Sequence, residues 1–254
     1  MTANKSTTAL ELGWPRRRQE TGYFSEVEAL TDGIRLDAEF AKEPWRVLCQ
    51  VSDSFLSEDS GVDARGVHAQ AFRQGEAFPR AYAEFDLLSP CAGQTLEEWQ
   101  FLDACDSASS ALSSMAIALS QSAVQDVGRL LGSAPILHLS RIEVRADQQG
   151  QGLGEWLGQF MLRWLCSSFA PGLLIVQPFP LQFESCSPCE GTPSHAAFRD
   201  EFEAAAATLA GYYSRTLNVN AVREGDSHLI GALAGWRLLV DEFGWSLAPQ
   251  KESE

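Results

Sequence analysis

A cluster of glycines near the middle of the chain carries more chemical information than any other segment. The stretch Gln149-Gly150-Gln151-Gly152-Leu153-Gly154 contains three glycines within five residues. Because glycine loses more conformational entropy on folding than other residues, such a cluster indicates a sharp turn or a close approach of the backbone to another group. If a helix begins here, its first N–H groups are unpaired and carry partial positive charge, which suits an anionic ligand such as a phosphate.

Two familiar phosphate-binding motifs do not fit this segment. If Gly150 and Gly152 open a dinucleotide-binding GxGxxG, the third glycine falls on Glu155, and the preceding strand lies late in the chain. A P-loop would need Gly-Lys followed by Ser or Thr, and these residues do not follow the glycines. A tight turn with a purely structural role remains an alternative.

The residues on either side of the glycines predict a strand–loop–helix–strand unit. Residues 136–144 have the apolar character of a strand, and 173–177 form a short apolar run typical of a strand buried on both faces. Residues 155–169 carry apolar side chains at the i, i+3, i+4, i+7 and i+8 positions. This spacing predicts an amphipathic helix directly after the loop.

Further elements are predicted on both sides of this unit. Residues 45–56 and 80–88 favour strands, and the polar, glycine-containing stretch 57–66 between them is interpreted as a loop. After the unit, 196–213 predicts a helix and 217–233 predicts a strand, a turn and a second strand.

A long helical segment, 96–131, precedes the glycine unit. Thr95 is the predicted N-cap, with acidic residues in the first turn, and Gly132 is the predicted C-cap. We expect the helix to break once near its serine-rich centre at 107–114.

Composition and charge exclude several classes of protein. The chain has 254 residues, of which 45% are hydrophobic and 21% charged, which is ordinary for a globular protein. No apolar run approaches the roughly 18 to 20 residues of a membrane span, and the N-terminus has no apolar signal core, so we expect a cytoplasmic protein without a membrane partner. The net charge of −15 repels phosphate backbones, which predicts that nucleic acid is not a partner.

The six cysteines are scattered and predict neither a disulfide framework nor a metal centre. Cys186 and Cys189 form a CxxC with His195 shortly after them. A structural zinc site would need a fourth ligand and usually a second such pair, so we expect no metal.

The glycine segment and its flanking elements resemble motif A of the GNAT superfamily of acyl-CoA-dependent N-acetyltransferases. In that motif a strand ends in a hydrophobic-x-Val, a short link contains Asp, and Gln/Arg-x-x-Gly-x-Gly/Ala enters a helix. The residues that match are Ile142, Val144, Asp147, Gln149, Gly150, Gly152 and Gly154.

The resemblance implies a fold and a cofactor. The fold is an α/β architecture with a mixed, largely antiparallel sheet, a splayed strand pair at the cofactor site and helices on both faces. Acetyl-CoA is the implied co-substrate, with its pyrophosphate on the loop N–H groups and its pantetheine arm along the preceding strand. The implied cofactor contacts are Ile142, Val144, Gln149, Gly150, Gln151, Gly152, Leu153 and Gly154.

Catalytic candidates follow from the same resemblance. Histidine side chains ordinarily titrate near neutrality, so His138, on the strand before the loop, is the candidate general base, with Glu143 and Glu184 as lesser candidates. Tyr213, at the end of the late helix, is the candidate proton donor to the CoA thiolate, with Tyr212 as its substitute. Packing in the core is the alternative role for the histidine and both tyrosines.

The predicted function is direct transfer of an acetyl group from acetyl-CoA to a primary amine. The acidic charge favours a small cationic amine or a basic peptide as acceptor, and a homodimer is compatible with the resemblance. Two alternatives stay open: a catalytically silent acyl-CoA-binding regulatory module, and a GNAT-type toxin that acts on aminoacyl-tRNA.

The predicted domain organisation is simple. Residues 1–20 form a flexible N-terminal segment, and 21–250 form one GNAT-like domain. Within that domain 96–131 is a helical insertion and 136–220 is the cofactor-binding core.

Overall fold

The computed structural model describes most of the chain between residues 38 and 247. The described residues are 38–42, 44–56, 58–76, 78–94, 96–122, 132, 134–183, 193–221, 227–233 and 246–247. The strands are β1 (Ala38–Lys42), β2 (Trp45–Ser54), β3 (Val62–Arg73), β4 (Ala81–Pro90), β5 (Ile136–Val144), β6 (Leu173–Val176), β7 (Asn220–Ala221), β8 (Leu229–Ala232) and β9 (Ser246–Leu247). The helices are α1 (Glu98–Ala108), α2 (Ser110–Gln121), α3 (Leu153–Phe169) and α4 (Pro193–Leu217). The predicted flexible segment 1–20 lies outside the described residues.

The described strands form one mixed sheet with the order β7-β8-β6-β5-β4-β3-β2-β1-β9. Only the β5–β6 pair is parallel, and every other described pair is antiparallel. A parallel pair needs a crossover connection, and α3 supplies it between β5 and β6. The predicted strand–loop–helix–strand unit is therefore confirmed at the centre of the sheet.

Helices cover both faces of the sheet, as the fold prediction required. On one face, Leu157 and Met161 of α3 pack with Phe85 and Leu139 of the sheet, and the end of α4 joins the same cluster. On the other face, apolar residues of α1 and α2 pack against the ends of β3, β4, β5 and β6. Burial of these two clusters fixes the sheet between two helical layers.

The strands β5 and β6 diverge, which confirms the predicted splay. Their pairing covers only Ile136–Leu139 against Leu173–Val176, whereas β5 continues to Val144. Pro178 and Pro180 follow β6 and lack the N–H groups that further pairing would need. The last five residues of β5 therefore present a backbone edge that β6 does not cover.

A β-bulge marks the point where the splay begins. On β4, Glu84 pairs with Arg141 and its neighbour Phe85 pairs with Leu139, so Ser140 is the extra residue of β5. A bulge increases the local twist and re-aims the side chains beyond it. Here it separates the part of β5 that pairs with β6 from the part that does not.

The helical segment before β5 breaks where its serine content is highest. The α1 helix ends at Ala108, and the hydroxyl of Ser109 accepts a hydrogen bond from the Leu112 N–H at 3.1 Å to cap α2. The N-cap of α1 is Glu97 in a capping box with Gln100, and Thr95 lies outside the described residues. The α2 helix ends at Gln121, and 123–131 are also outside the described residues.

The interpretation of 57–66 as a loop is wrong over its second half. Strand β3 begins at Val62 and pairs with both β2 and β4. Asp63, Arg65 and Gly66 have low strand propensity, but pairing on both edges and burial of alternate residues outweigh that preference.

Among the described residues, no helix is long and apolar enough to cross a membrane.

Candidate functional site

The glycine loop connects β5 to α3 through a short 3-10 turn, Ala146–Gln148. Gly150 has φ 74° and Gly152 has φ 78°, both in the left-handed region that side chains with a Cβ rarely adopt. A Cβ added at either position would meet no atom of the described residues within 4 Å. Backbone conformation therefore requires these two glycines, and contact with the described residues does not.

The start of α3 presents its N–H groups without protein acceptors. Gly152 is the N-cap and has no side chain to cap the helix, and the Trp156 N–H donates to its carbonyl at 2.9 Å. Within the described part of the chain, no oxygen accepts from the N–H groups of Leu153, Gly154 or Glu155. The first turn of α3 can therefore bind an anion.

The glutamine side chains of the loop fold back onto its own backbone. Gln149 Nε2 donates to the Val144 carbonyl at 3.2 Å, and the Nε2 atoms of Gln148 and Gln151 each donate to the Asp147 carbonyl at 3.1 Å. These bonds hold the loop in shape through side chains of its own residues.

Two arginines clamp the loop through Asp147. Its Oδ2 lies 2.7 Å from Arg145 Nη2 and 2.6 Å from Arg80 Nη1, and Arg80 also pairs with Glu76. The hydrogen bonds from Arg145, with the charges of Arg145 and Arg80, hold the pKa of Asp147 below its ordinary value. The clamp ties the loop to the start of β4.

We expect Asp147→Asn to lower the unfolding temperature near pH 7 by at most about 3 °C, because half-exposed ion pairs contribute little. Since the pKa of Asp147 is lower in the folded than in the unfolded chain, its contribution is complete above the ordinary value of 3.8. That contribution disappears as the pH falls through the folded-state pKa. Circular dichroism melts between pH 7 and pH 3 should show the two proteins converging, whereas a gap that widens in acid would contradict the clamp. Asp103→Asn, at an exposed carboxylate of α1 with no ion pair among the described residues, is the control.

The third glycine has a different role from the first two. A Cβ at Gly154 would lie 3.1 Å from Val144 Cγ2 and 3.5 Å from the hydroxyl oxygen of Tyr212. One turn later, a Cβ at Gly158 would lie 3.0 Å from Ile142 Cδ1. These glycines let α3 lie directly against the end of β5, next to the loop.

Tyr212 and Tyr213 occupy different environments. Tyr213 lies in the apolar core between α4 and the sheet, and burial raises its pKa. The Tyr212 hydroxyl lies beside Gly154, and burial together with the charge of Glu155 raises its pKa to about 12. Tyr212, which the sequence analysis named as the substitute proton donor, therefore lies at the loop. Tyr213, the first candidate, packs in the core.

The other predicted catalytic residues lie on the opposite face of β5. Ile142 and Val144 pack on the α3 side, whereas His138 and Glu143 face the α1–α2 side. His138 is buried with Nδ1 2.9 Å from Asp86 Oδ2, and buried Glu143 accepts a 2.8 Å hydrogen bond from Arg141. The carboxyl Glu184 and the pair Cys186 and Cys189 lie outside the described residues.

Three polar residues of β4 lie in a row beside His138 and Glu143. The sequence analysis did not single out this row. Tyr82, Glu84 and Asp86 are the cross-strand partners of Glu143, Arg141 and His138. The Tyr82 hydroxyl also lies 2.7 Å from His68 Nδ1 on β3. The alternation of polar and apolar residues over 80–88 indicates that these side chains share one face of the strand, but only the register between β4 and β5 shows which groups meet.

Among the described residues, no group of three acidic, histidine or cysteine side chains could hold a metal ion.

Comparison with known proteins gives matches to solved structures only. No family model matches the chain, and no curated protein does. AtaTR bound with AcCoA is 13% identical, over 68% of this chain and 71% of that chain, with a TM-score of 0.34. The KacTA–DNA complex is 15% identical, over 70% and 74%, with a TM-score of 0.35. A mutant AtaT toxin bound to the C-terminus of the antitoxin AtaR is 13% identical, over 68% and 72%, with a TM-score of 0.31.

The partner prediction from net charge requires correction. The sequence analysis predicts a small amine or peptide and no nucleic acid, but the similar structures include a complex with DNA and a toxin bound to an antitoxin. Net charge sums over the whole surface and does not describe the local field at a binding face. The acidic composition is therefore no ground for excluding nucleic acid.

Proposed function

We propose that the protein binds acetyl-CoA and transfers its acetyl group to an amine. The observation that carries the proposal is the edge of β5 over Ser140–Val144 that β6 leaves unpaired, followed after the glycine loop by the acceptor-free N–H groups at the start of α3. An extended chain with amide groups can add to a strand edge, and a pyrophosphate at its end suits a helix N-terminus. Coenzyme A has both features in that order.

The reaction needs no covalent enzyme intermediate. The amine nitrogen attacks the thioester carbonyl, the C–N bond forms as the C–S bond breaks, and the proton of the amine goes to a general base. His138 is the candidate base, with Glu143 as the alternative, on the α1–α2 side of β5. Tyr212, on the α3 side, is the candidate donor to the departing thiolate. We place the thioester at this edge of β5, between the two faces.

For the acceptor we place aminoacyl-tRNA first. Its α-amine is a primary amine, as the reaction requires, and one of the similar structures is a toxin bound to its antitoxin. A screen that follows CoA release with aminoacyl-tRNA, and then with uncharged tRNA as a control, tests this class. Acetyl-CoA binding without turnover would favour the silent binding module.

The cofactor part is tested by calorimetric titration with acetyl-CoA. Gly152→Asp places a carboxylate where the pyrophosphate is proposed to lie, and we expect Kd to rise about tenfold or more, which is about 1.4 kcal/mol or more. Gly93→Asp is the matched control, because Gly93 has the same φ of 78° and no atom of a described residue within 4 Å of its Cβ position, on a turn between β4 and α1. Both variants carry the same backbone strain, so only the loop variant should lose binding. Equal affinity in both, or no binding by the wild type, would overturn the proposal.

A further inference from the structure

A buried histidine–aspartate pair joins β4 to β5 next to the splay. Asp86 and His138 are direct cross-strand partners, and His138 Nδ1 lies 2.9 Å from Asp86 Oδ2. The His138 side chain is 2% exposed, and that of Asp86 is 17% exposed. The next residue of β5, Leu139, is the last to pair with β6, so the pair lies at the apex of the opening.

The chemistry of the pair determines where the imidazole carries its proton. An ionised carboxylate only accepts hydrogen bonds, so the nitrogen that faces it must be a donor. In neutral His138, Nδ1 therefore carries the hydrogen and Nε2 carries the lone pair. Among the described residues, Nδ1 is the ring nitrogen shown with a hydrogen-bond partner, so Nε2 is the nitrogen that we assign to accept a proton.

The neighbouring groups do not compete for the hydrogen bond between His138 and Asp86. Glu84 and Arg141 lie one row away on β4 and β5, and His68 lies on β3 with its Nδ1 at the Tyr82 hydroxyl. On α1, Cys105 faces Asp86, and burial together with the charge of Asp86 raises the pKa of this thiol to about 12. The thiol is therefore neutral, and Asp86 is the carboxylate that bonds to His138.

We propose that Asp86 is a positioning residue that holds His138 in the tautomer with Nε2 unprotonated, as a general base requires. The inference rests on the proposed function, in which His138 accepts the proton of the attacking amine. In Asp–His pairs of hydrolases the carboxylate has this role, and its replacement by the isosteric amide stabilises the wrong tautomer.

Asp86→Asn is the variant that tests the inference. The amide can donate to Nδ1 and thereby move the imidazole proton to Nε2, so we expect kcat to fall by about 10²- to 10⁴-fold. The Kd for acetyl-CoA should stay within about twofold, because Asp86 does not contact the proposed cofactor edge. Asp86→Glu retains a carboxylate and should recover part of kcat. Asp63→Asn is the matched control, since it removes a carboxylate from β3 whose described ion-pair partner is Arg65.

A spectroscopic readout separates positioning from mere support of the fold. Long-range 1H–15N correlation of the histidine side chains should show His138 protonated at Nδ1 in the wild type and in Asp63→Asn, and at Nε2 in Asp86→Asn. Protonation at Nε2 in the wild type would overturn the inference, as would full kcat in Asp86→Asn. Failure of the proposed function would appear differently, as a wild type that turns over no amine acceptor.

Discussion

Tyr212→Phe is expected to lower kcat for acetyl transfer by about 10²-fold, while the Kd for acetyl-CoA changes by less than about threefold. The hydroxyl oxygen of Tyr212 lies beside the Cβ position of Gly154, at the first turn of α3. Burial and the charge of Glu155 raise its pKa to about 12, so the hydroxyl is protonated at neutral pH and can donate to the departing thiolate. Steady-state rates of CoA release, with binding measured by calorimetry, test this prediction.

Tyr213→Phe is the matched control, because it removes the same atom from the next residue of α4. The Tyr213 side chain lies in the core, so we expect kcat to stay within about threefold of wild type. If Tyr213→Phe lost activity and Tyr212→Phe kept it, the assignment would be reversed. Since the pKa of Tyr212 is raised, an alkaline decrease in rate below pH 10 would have to come from another group.

The part of the fold that the sequence predicts well is the unit whose structure is determined locally. Glycines that need left-handed backbone and an apolar helical stripe over 155–169 do not depend on distant partners. The α3 helix begins two residues earlier than that stripe, at Leu153, so Leu153 and Gly154 belong to its first turn. The break between α1 and α2 is local too, because Ser109 caps the helix that follows it.

Strand β3 shows what sequence pattern alone does not provide. Its polar and small residues suggest a loop, and only neighbours on both edges make it a central strand. The candidate site has the same limitation. The pairing of Asp86 with His138 depends on the register between β4 and β5, which includes a bulge at Ser140. Pattern within either strand does not specify that register.

Gly158→Leu is expected to have the largest effect on stability, at about 3 kcal/mol or a decrease in unfolding temperature of about 6–12 °C. Gly158 lies in α3, and a Cβ there would be 3.0 Å from Ile142 Cδ1 and 3.3 Å from Leu217 Cδ2. A leucine would have to push α3 away from β5 and α4, because a close-packed interior has no room for its side chain. Thermal unfolding followed by circular dichroism measures the loss.

Gly211→Leu, the same substitution in α4, is the control. It separates the loss of stability caused by poor packing from any effect of replacing a helical glycine. Of the atoms in the described part of the chain, a Cβ at Gly211 meets only the Nη1 of Arg215, at an ordinary contact distance of 3.5 Å. Leucine is a better helix former, so Gly211→Leu should stabilise the protein by about 0.5–1 kcal/mol. Equal melting of the two variants would mean that α3 does not need to lie against β5. Because the side chain displaced by Gly158→Leu belongs to Ile142, the variant should also weaken acetyl-CoA binding at the edge of β5, whereas Gly211→Leu should leave that affinity unchanged.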